Sequence, residues 1–234
     1  MTGIHVELLS EVKVEGKPLG RHIEHDEASR AYATEADTAA PLVAVTHKRH
    51  GNIFNQGEIG SCTGNAAAGC ANTDPTHGHV KLLHEPDALH IYELATQLDG
   101  IQGVYPPDDT GSSGLAACKA LKQLGLISKY EHAFGEVQAL AALQARPIMT
   151  GVAWYEGFDN PDANGIVQIA GQVRGGHEFE INQYLPNASD PLEALLGADN
   201  SWSAQWGVHG RFFFTVRTFA ALLEQQGDVT IPIL

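Results

Sequence analysis

The stretch Asn55-Gln56-Gly57-Glu58-Ile59-Gly60-Ser61-Cys62 decides how this chain is read. Glycines and polar side chains up to Ser61 mark a loop. The small residues that follow, Thr63-Gly64-Asn65-Ala66-Ala67-Ala68-Gly69-Cys70-Ala71, mark a helix that can approach a neighbouring wall closely. It is expected to start near Ser61 and run to about Asn72. Cys62 then stands at a helix N-terminus, where the partial positive charge favours a thiolate. Two further strings lie downstream. Gly175-Gly176-His177-Glu178-Phe179 stands at the mouth of an expected strand, and Asp199-Asn200-Ser201-Trp202 is followed by Trp206-Gly207 and by Gly210 leading into another strand.

Outward from these strings, residues 41–55 read as extended. Residues 86–98 have helical spacing through Leu89, Tyr92 and Leu94. Residues 105–114, rich in Pro, Asp, Gly and Ser, are a loop. A second strong helix is expected over 115–125, with Gly125 as its stop, and a third over 138–144. From Pro147 the pattern changes: 148–154, 166–169, 178–184 and 211–217 read as strands punctuated by Gly, Asn and Pro. Residues 219–225 read as a short helix or a continuing arm. A helix-rich first half and a strand-rich second half predict an α+β protein of two lobes, with its chemistry in the cleft between them.

The 234 residues carry 14 Lys and Arg against 28 Asp and Glu, a formal charge of −14. That sign argues against nucleic acid or an anionic membrane surface, since either needs a cationic footprint. No apolar stretch approaches the roughly 18 residues of a membrane span. Glu7, Glu11, Lys13, Glu15 and Lys17 occupy the first twenty residues without an apolar core, so no Sec signal is visible. Three cysteines, Cys62, Cys70 and Cys118, exclude a dense disulfide framework, and the absence of a CxxC pair removes zinc-ribbon and thioredoxin-like readings. Cys70 and Cys118 read as buried small residues of helices. His77, His79 and His84 read as a polar surface loop, without the convergent ligands of a metal site; no metal or cofactor is expected. Residues 1–40 hold eight acidic residues against four Lys or Arg. They read as a partly extended arm packed across the body, in preference to an inhibitory or docking segment.

Taken together and in order, Gln56 six residues before Cys62, then His177, then Asn200-Ser201-Trp202 with Trp206-Gly207 and Gly210, resemble the papain-like cysteine peptidases. The resemblance covers about residues 40–217. It implies a papain-like two-lobe fold: an arm over 1–40, a helical left lobe over 41–145 carrying the cysteine, and a β-rich right lobe over 146–234, antiparallel and barrel-like, carrying the histidine and asparagine. It also implies roles. A neutral thiol is only about 3% thiolate at pH 7, so Cys62 as nucleophile needs the helix N-terminus and an imidazolium, His177, which later protonates the leaving amine and activates water. Asn200 would orient the imidazole. Gln56 would join the backbone N–H of Cys62 in an oxyanion hole. Trp202 would shield the His–Asn hydrogen bond, Trp206 would line the leaving-group side, and Ser113 and Gly114 would hold the substrate backbone as an added strand.

Several positions depart from the usual pattern. Thr63 follows Cys62 where an aromatic is common, and Glu178 follows His177 where a small residue is common. Strand alternation should turn Glu178 and His177 to opposite sides. Neither a long helical pro-segment nor the disulfides of secreted members are present. The chain therefore looks like the compact bacterial or viral branch, working in the cytoplasm (or in a virion or host cytoplasm). The expected function is a cysteine endopeptidase acting on peptides or proteins through a Cys62 thioester. The alternatives are a related acyl-transfer enzyme (ligase, deamidase or processing enzyme) and a catalytically silent binding or structural protein with the same fold.

Overall fold

The computed structural model describes residues 3–234. Its elements begin with β1 (Ile4–Glu7), β2 (Ile23–Asp26), β3 (Val45–Thr46), α1 (Cys62–Ala71), α2 (Glu85–Leu98) and α3 (Gly114–Gln123). They continue with β4 (Lys129–Ala133), α4 (Glu136–Leu143), β5 (Ile148–Tyr155), β6 (Val173–Leu185), β7 (Leu195–Asp199), β8 (Arg211–Thr215), α5 (Val216–Glu224) and β9 (Asp228–Ile233). The four helices read from the sequence before Pro147 all form, with small shifts at their ends. No helix among the described residues is long and apolar enough to cross a membrane.

Small residues explain the helical side. All of α1 is buried. A Cβ added at Gly64 would lie 2.5 Å from the Ala88 carbonyl oxygen and 2.8 Å from the Tyr92 nitrogen. That glycine lets α1 and α2 touch backbone to backbone. Ala67, Ala68, Cys70, Ala88, Ile91, Ala117, Cys118 and Leu121 form one core with them. Cys70 and Cys118 are completely buried in it.

The other side is a seven-stranded antiparallel sheet in the order β4-β9-β5-β6-β7-β8, with β3 pairing the far end of β6. It is open, so the expected barrel-like lobe is corrected. Closure needs the two end strands to pair at a fixed stagger, and β4 and β8 do not pair with each other. Their edges are blunted by short chain stretches instead, which removes the need to close. Ala33 bridges His132 at the β4 edge, and Ile166 bridges Phe213 at the β8 edge. The strand expected over 166–169 reduces to that single bridge, fastened by Val167 N–H to the Phe213 carbonyl at 2.9 Å. Strands β4, β7 and β9 were not anticipated. Each is short, and in β9 Pro232 interrupts the alternating signal.

Aromatic rings fill the sheet side. Trp154 is fully buried and packs edge-on against Phe158, Phe179, Trp202 and Phe212, with centroids 5.1–6.3 Å apart. Its indole N–H donates to Asp159 Oδ1 at 2.9 Å, and the other carboxylate oxygen of Asp159 lies 3.2 Å from Arg174 Nε as an ion pair. Helices α4 and α5 complete this core through Leu140, Leu143, Phe219 and Leu222.

Candidate active site

Cys62 opens α1 and has no solvent exposure. The preceding Ser61 does not cap the helix with its hydroxyl; that oxygen accepts from Asn65 Nδ2 at 3.1 Å. The first-turn N–H groups thus stay directed toward the thiol end. Gln56 is held beside them: its Nε2 donates to the Ile59 carbonyl at 2.8 Å and its Oε1 accepts from the Ser201 hydroxyl at 2.6 Å. One Gln56 N–H is left over, as an oxyanion donor requires.

The string after Asp199 is stitched to the string before Cys62. Gln56 N–H donates to the Ser201 carbonyl at 2.9 Å, Asn55 bridges Trp202, and Ser203 N–H donates to the Phe54 carbonyl at 2.9 Å. Gly207 and Gly210 adopt φ of +57° and +84°, left-handed conformations that favour glycine. The turn they make returns the chain so that Asn200 N–H donates to the Gly210 carbonyl at 3.0 Å. Asn200 Oδ1 is thereby set 2.7 Å from His177 Nε2, while His177 Nδ1 has no hydrogen-bond partner. The Trp154 and Trp202 rings lie 4.7 and 5.0 Å from the imidazole. Trp206 packs on Trp202 at 5.2 Å and donates its indole N–H to the Asp159 carbonyl at 2.8 Å.

The N-terminal arm crosses this site. β1 and β2 pair as a hairpin, and the chain between them runs over both walls. Val12 N–H donates to the Arg174 carbonyl, and the N–H groups of Gly20 and Arg21 donate to the Gly176 carbonyl at 3.2 and 3.0 Å. On the opposite wall Arg21 bridges Ser112, and a Cβ at Gly20 would lie 2.1 Å from the Gly60 carbonyl oxygen. The Trp202 indole N–H donates to the Pro18 carbonyl at 3.0 Å. A hollow of about 310 Å³ beside Glu58, Gly60, Asp109 and Gly176 is the space left next to the arm. The roomier cavity of about 1020 Å³ lies under the hairpin, among His25, His132 and Phe134, away from Cys62.

Burial sets the electrostatics. It pushes the Cys62 thiol well above its ordinary range, against the backbone N–H groups of Glu178 and Thr63, which favour thiolate. It lowers His177 to about 4, with the Asn200 hydrogen bond opposing and Arg174 assisting. Both shifts favour the neutral forms of the two groups. Glu178 is completely buried; burial and then the nearby Asp228 raise its carboxyl, against the pull of Arg21.

Of the residues singled out in the sequence, Gln56, His177, Asn200, Trp202 and Trp206 are linked by the contacts above, and Cys62 meets the backbone of Glu178. Ser113 caps α3, accepting from Ala116 N–H at 3.0 Å and donating to Glu24 of the arm. Gly114 lies against the Glu178 carboxyl, and the backbone pairing with the arm falls on Ser112. Ser112, Ser201, Asp159, Arg21 and Asp228 escaped the sequence reading. Ser201 stood inside a quoted motif and could have been found there; Asp228, isolated between Gly227 and Val229, carried no local signal. His77 stacks on His50 at 4.0 Å, far from these contacts in role as in chemistry.

No family model matches the chain, and no curated protein matches it by sequence. Solved structures do. Xylellain, a cysteine protease from Xylella fastidiosa, superposes with a TM-score of 0.74 at 17% identity, over 95% of this chain and 98% of that one. Digestive procathepsin L 3 of Tenebrio molitor larval midgut gives 0.65 at 14% identity, over 87% and 74%. The bromelain protease from Ananas comosus, in complex with the E64 inhibitor, gives 0.59 at 14% identity, over 83% and 100%. At these identities the likeness establishes architecture: the chain has the fold of the papain-like cysteine proteases.

Proposed function

We propose that this chain is a cysteine endopeptidase whose N-terminal arm keeps it latent. The observation that carries the reading is the 2.7 Å contact between His177 Nε2 and Asn200 Oδ1, which leaves Nδ1 as the nitrogen available to a thiol. On this reading, displacement of the arm admits water and peptide, and the burial that holds Cys62 and His177 neutral is relieved. The thiol proton passes to Nδ1, and the thiolate attacks the scissile carbonyl carbon. The oxyanion is met by the Cys62 N–H and the spare Gln56 N–H. The imidazolium protonates the leaving amine, giving a thioester; water, deprotonated by the neutral imidazole, then releases the acid and restores the thiol.

Asn200 acts as the positioning residue, because a neutral carbonyl fixes the ring without competing for the charge. The arm across Gly176 and Gly60 supports latency, and one similar structure is itself a proform. The three free, buried thiols suit a reducing compartment, in keeping with a compact cytoplasmic member. The test is hydrolysis of fluorogenic peptides by the full chain and by forms nicked between residues 26 and 40, with iodoacetamide labelling followed by peptide mass spectrometry. Nicking should raise both turnover and Cys62 labelling, and Cys62→Ala should abolish turnover. Turnover that persists in Cys62→Ala, or is absent from nicked chain whose Cys62 labels only as an ordinary thiol, would sink the proposal.

A further inference from the structure

Arg21 belongs to the arm, yet its side chain has no solvent exposure. Nε donates to Asp228 Oδ1 at 3.1 Å, and Nη2 donates to the same oxygen and to the Gln226 carbonyl at 2.8 Å. Nη1 has no partner, and neither carboxyl oxygen of Glu178 has one. Two glycines make the room. A Cβ at Gly151 would lie 2.5 Å from Glu178 Oε2, 2.7 Å from Arg21 Nε and 2.8 Å from Asp228 Oδ1. A Cβ at Gly114 would lie 2.5 Å from Glu178 Oε1 and 3.2 Å from Asp228 Oδ2.

A site filled only for stability would hold an apolar side chain, because an incompletely paired buried ion costs more than it returns. This one keeps two carboxyls and admits one guanidinium. The backbone that delivers it is clamped like an extended peptide. Ser112 N–H donates to the Gly20 carbonyl and His22 N–H to the Ser112 carbonyl, both at 2.8 Å, while Gly176 accepts from the other side. Such main-chain pairing is indifferent to sequence, so selection falls to the side-chain pocket.

We infer that this pocket selects an arginine side chain of the substrate peptide, with Asp228 and Glu178 as specificity-determining residues and Arg21 as an internal stand-in. The inference rests on the peptidase reading above. Arginine fits better than lysine, because a planar fork can engage the Asp228 carboxylate and the Gln226 carbonyl together, whereas an ammonium is a single point. Glu178, unpaired with Arg21, remains to take the guanidinium of a substrate seated differently.

The test uses the full chain and coumarin-amide peptides carrying arginine or leucine at the first, second or third position before the scissile bond. Ratios of kcat/KM within one preparation do not depend on the fraction of molecules whose arm is displaced. Arginine should be favoured by at least about tenfold at one position, and Asp228→Asn or Glu178→Gln should shrink that ratio. Circular dichroism identifies which of the two variants folds and is used. Turnover without an arginine preference, or with one that neither variant changes, overturns the pocket and leaves the peptidase reading standing. A chain that cleaves no peptide either intact or nicked between residues 26 and 40 removes the peptidase reading, and calorimetry on Arg21→Ala then judges the pocket. Binding of acetyl-arginine amide but not acetyl-leucine amide, lost on adding Asp228→Asn, supports it. No binding of acetyl-arginine amide overturns it.

Discussion

The two walls of the cleft are held in place by opposite means. On the Cys62 wall, α1 has no side chain larger than Asn and is buried along its whole length. Its position is set by backbone contact, as Gly64 shows against Ala88 and Tyr92. On the His177 wall the imidazole sits among Trp154, Trp202 and Phe179, and its position is set by ring bulk. One wall cannot accept added atoms; the other cannot lose them.

Removing the proposed nucleophile should separate chemistry from packing. Cys62→Ala is expected to cut peptide turnover by at least about 10⁴-fold while shifting the urea midpoint little, since α1 already accommodates alanine. Trp154→Ala attacks the aromatic wall instead. It should lower unfolding free energy by about 3–5 kcal/mol in urea titrations, because the lost ring packs against six others and its partner Asp159 is left buried. Gln56→Ala should reduce kcat by about 10²–10³-fold, with KM nearly unchanged, as expected for a donor used only in the transition state. Gly64→Ala adds one methyl to the tight wall and should cost about 1–3 kcal/mol by the same titration.

A last effect is expected from pH. Folded His177 titrates near 4 because burial disfavours its charge, against an ordinary value of 6.5. Between those values the unfolded chain takes up a proton that the folded chain refuses, so stability falls as pH drops through that window. His22 and His132 are lowered by burial too and act in the same direction. The share owed to His177 is the flattening seen in His177→Gln when denaturation is followed from pH 7 to pH 4. A variant with the wild-type slope would show that the imidazole is not buried in solution.

Local grammar was legible wherever one residue type implies one backbone state. The run of small residues after Ser61 became α1, and Gly125 followed the end of α3 as a stop. The Gly207 and Gly210 spacing made the turn that returns Asn200 to His177. What local grammar could not supply was pairing over distance. β7 and β9 are strands because β6 and β5 lie beside them, and 166–169 is not one because its pairing with β8 stops at the single bridge to Phe213. The open sheet follows from the same cause: whether edges meet depends on every strand between them.

The arm shows the division most sharply. Its composition, eight acids against four Lys or Arg, was plain in the chain and suggested only a polar segment lying across the body. Arg21 and Asp228 stand 207 residues apart, and no spacing rule relates them. Order along the chain singled out Gln56, Cys62, His177 and Asn200 as candidates, because each stands in a short motif. The burial of Arg21 between Asp228 and Glu178, and the burial that favours the neutral forms of Cys62 and His177, came from tertiary contact alone. Burial and electrostatic coupling depend on what surrounds a group in space, and that is known only once the chain has closed on itself.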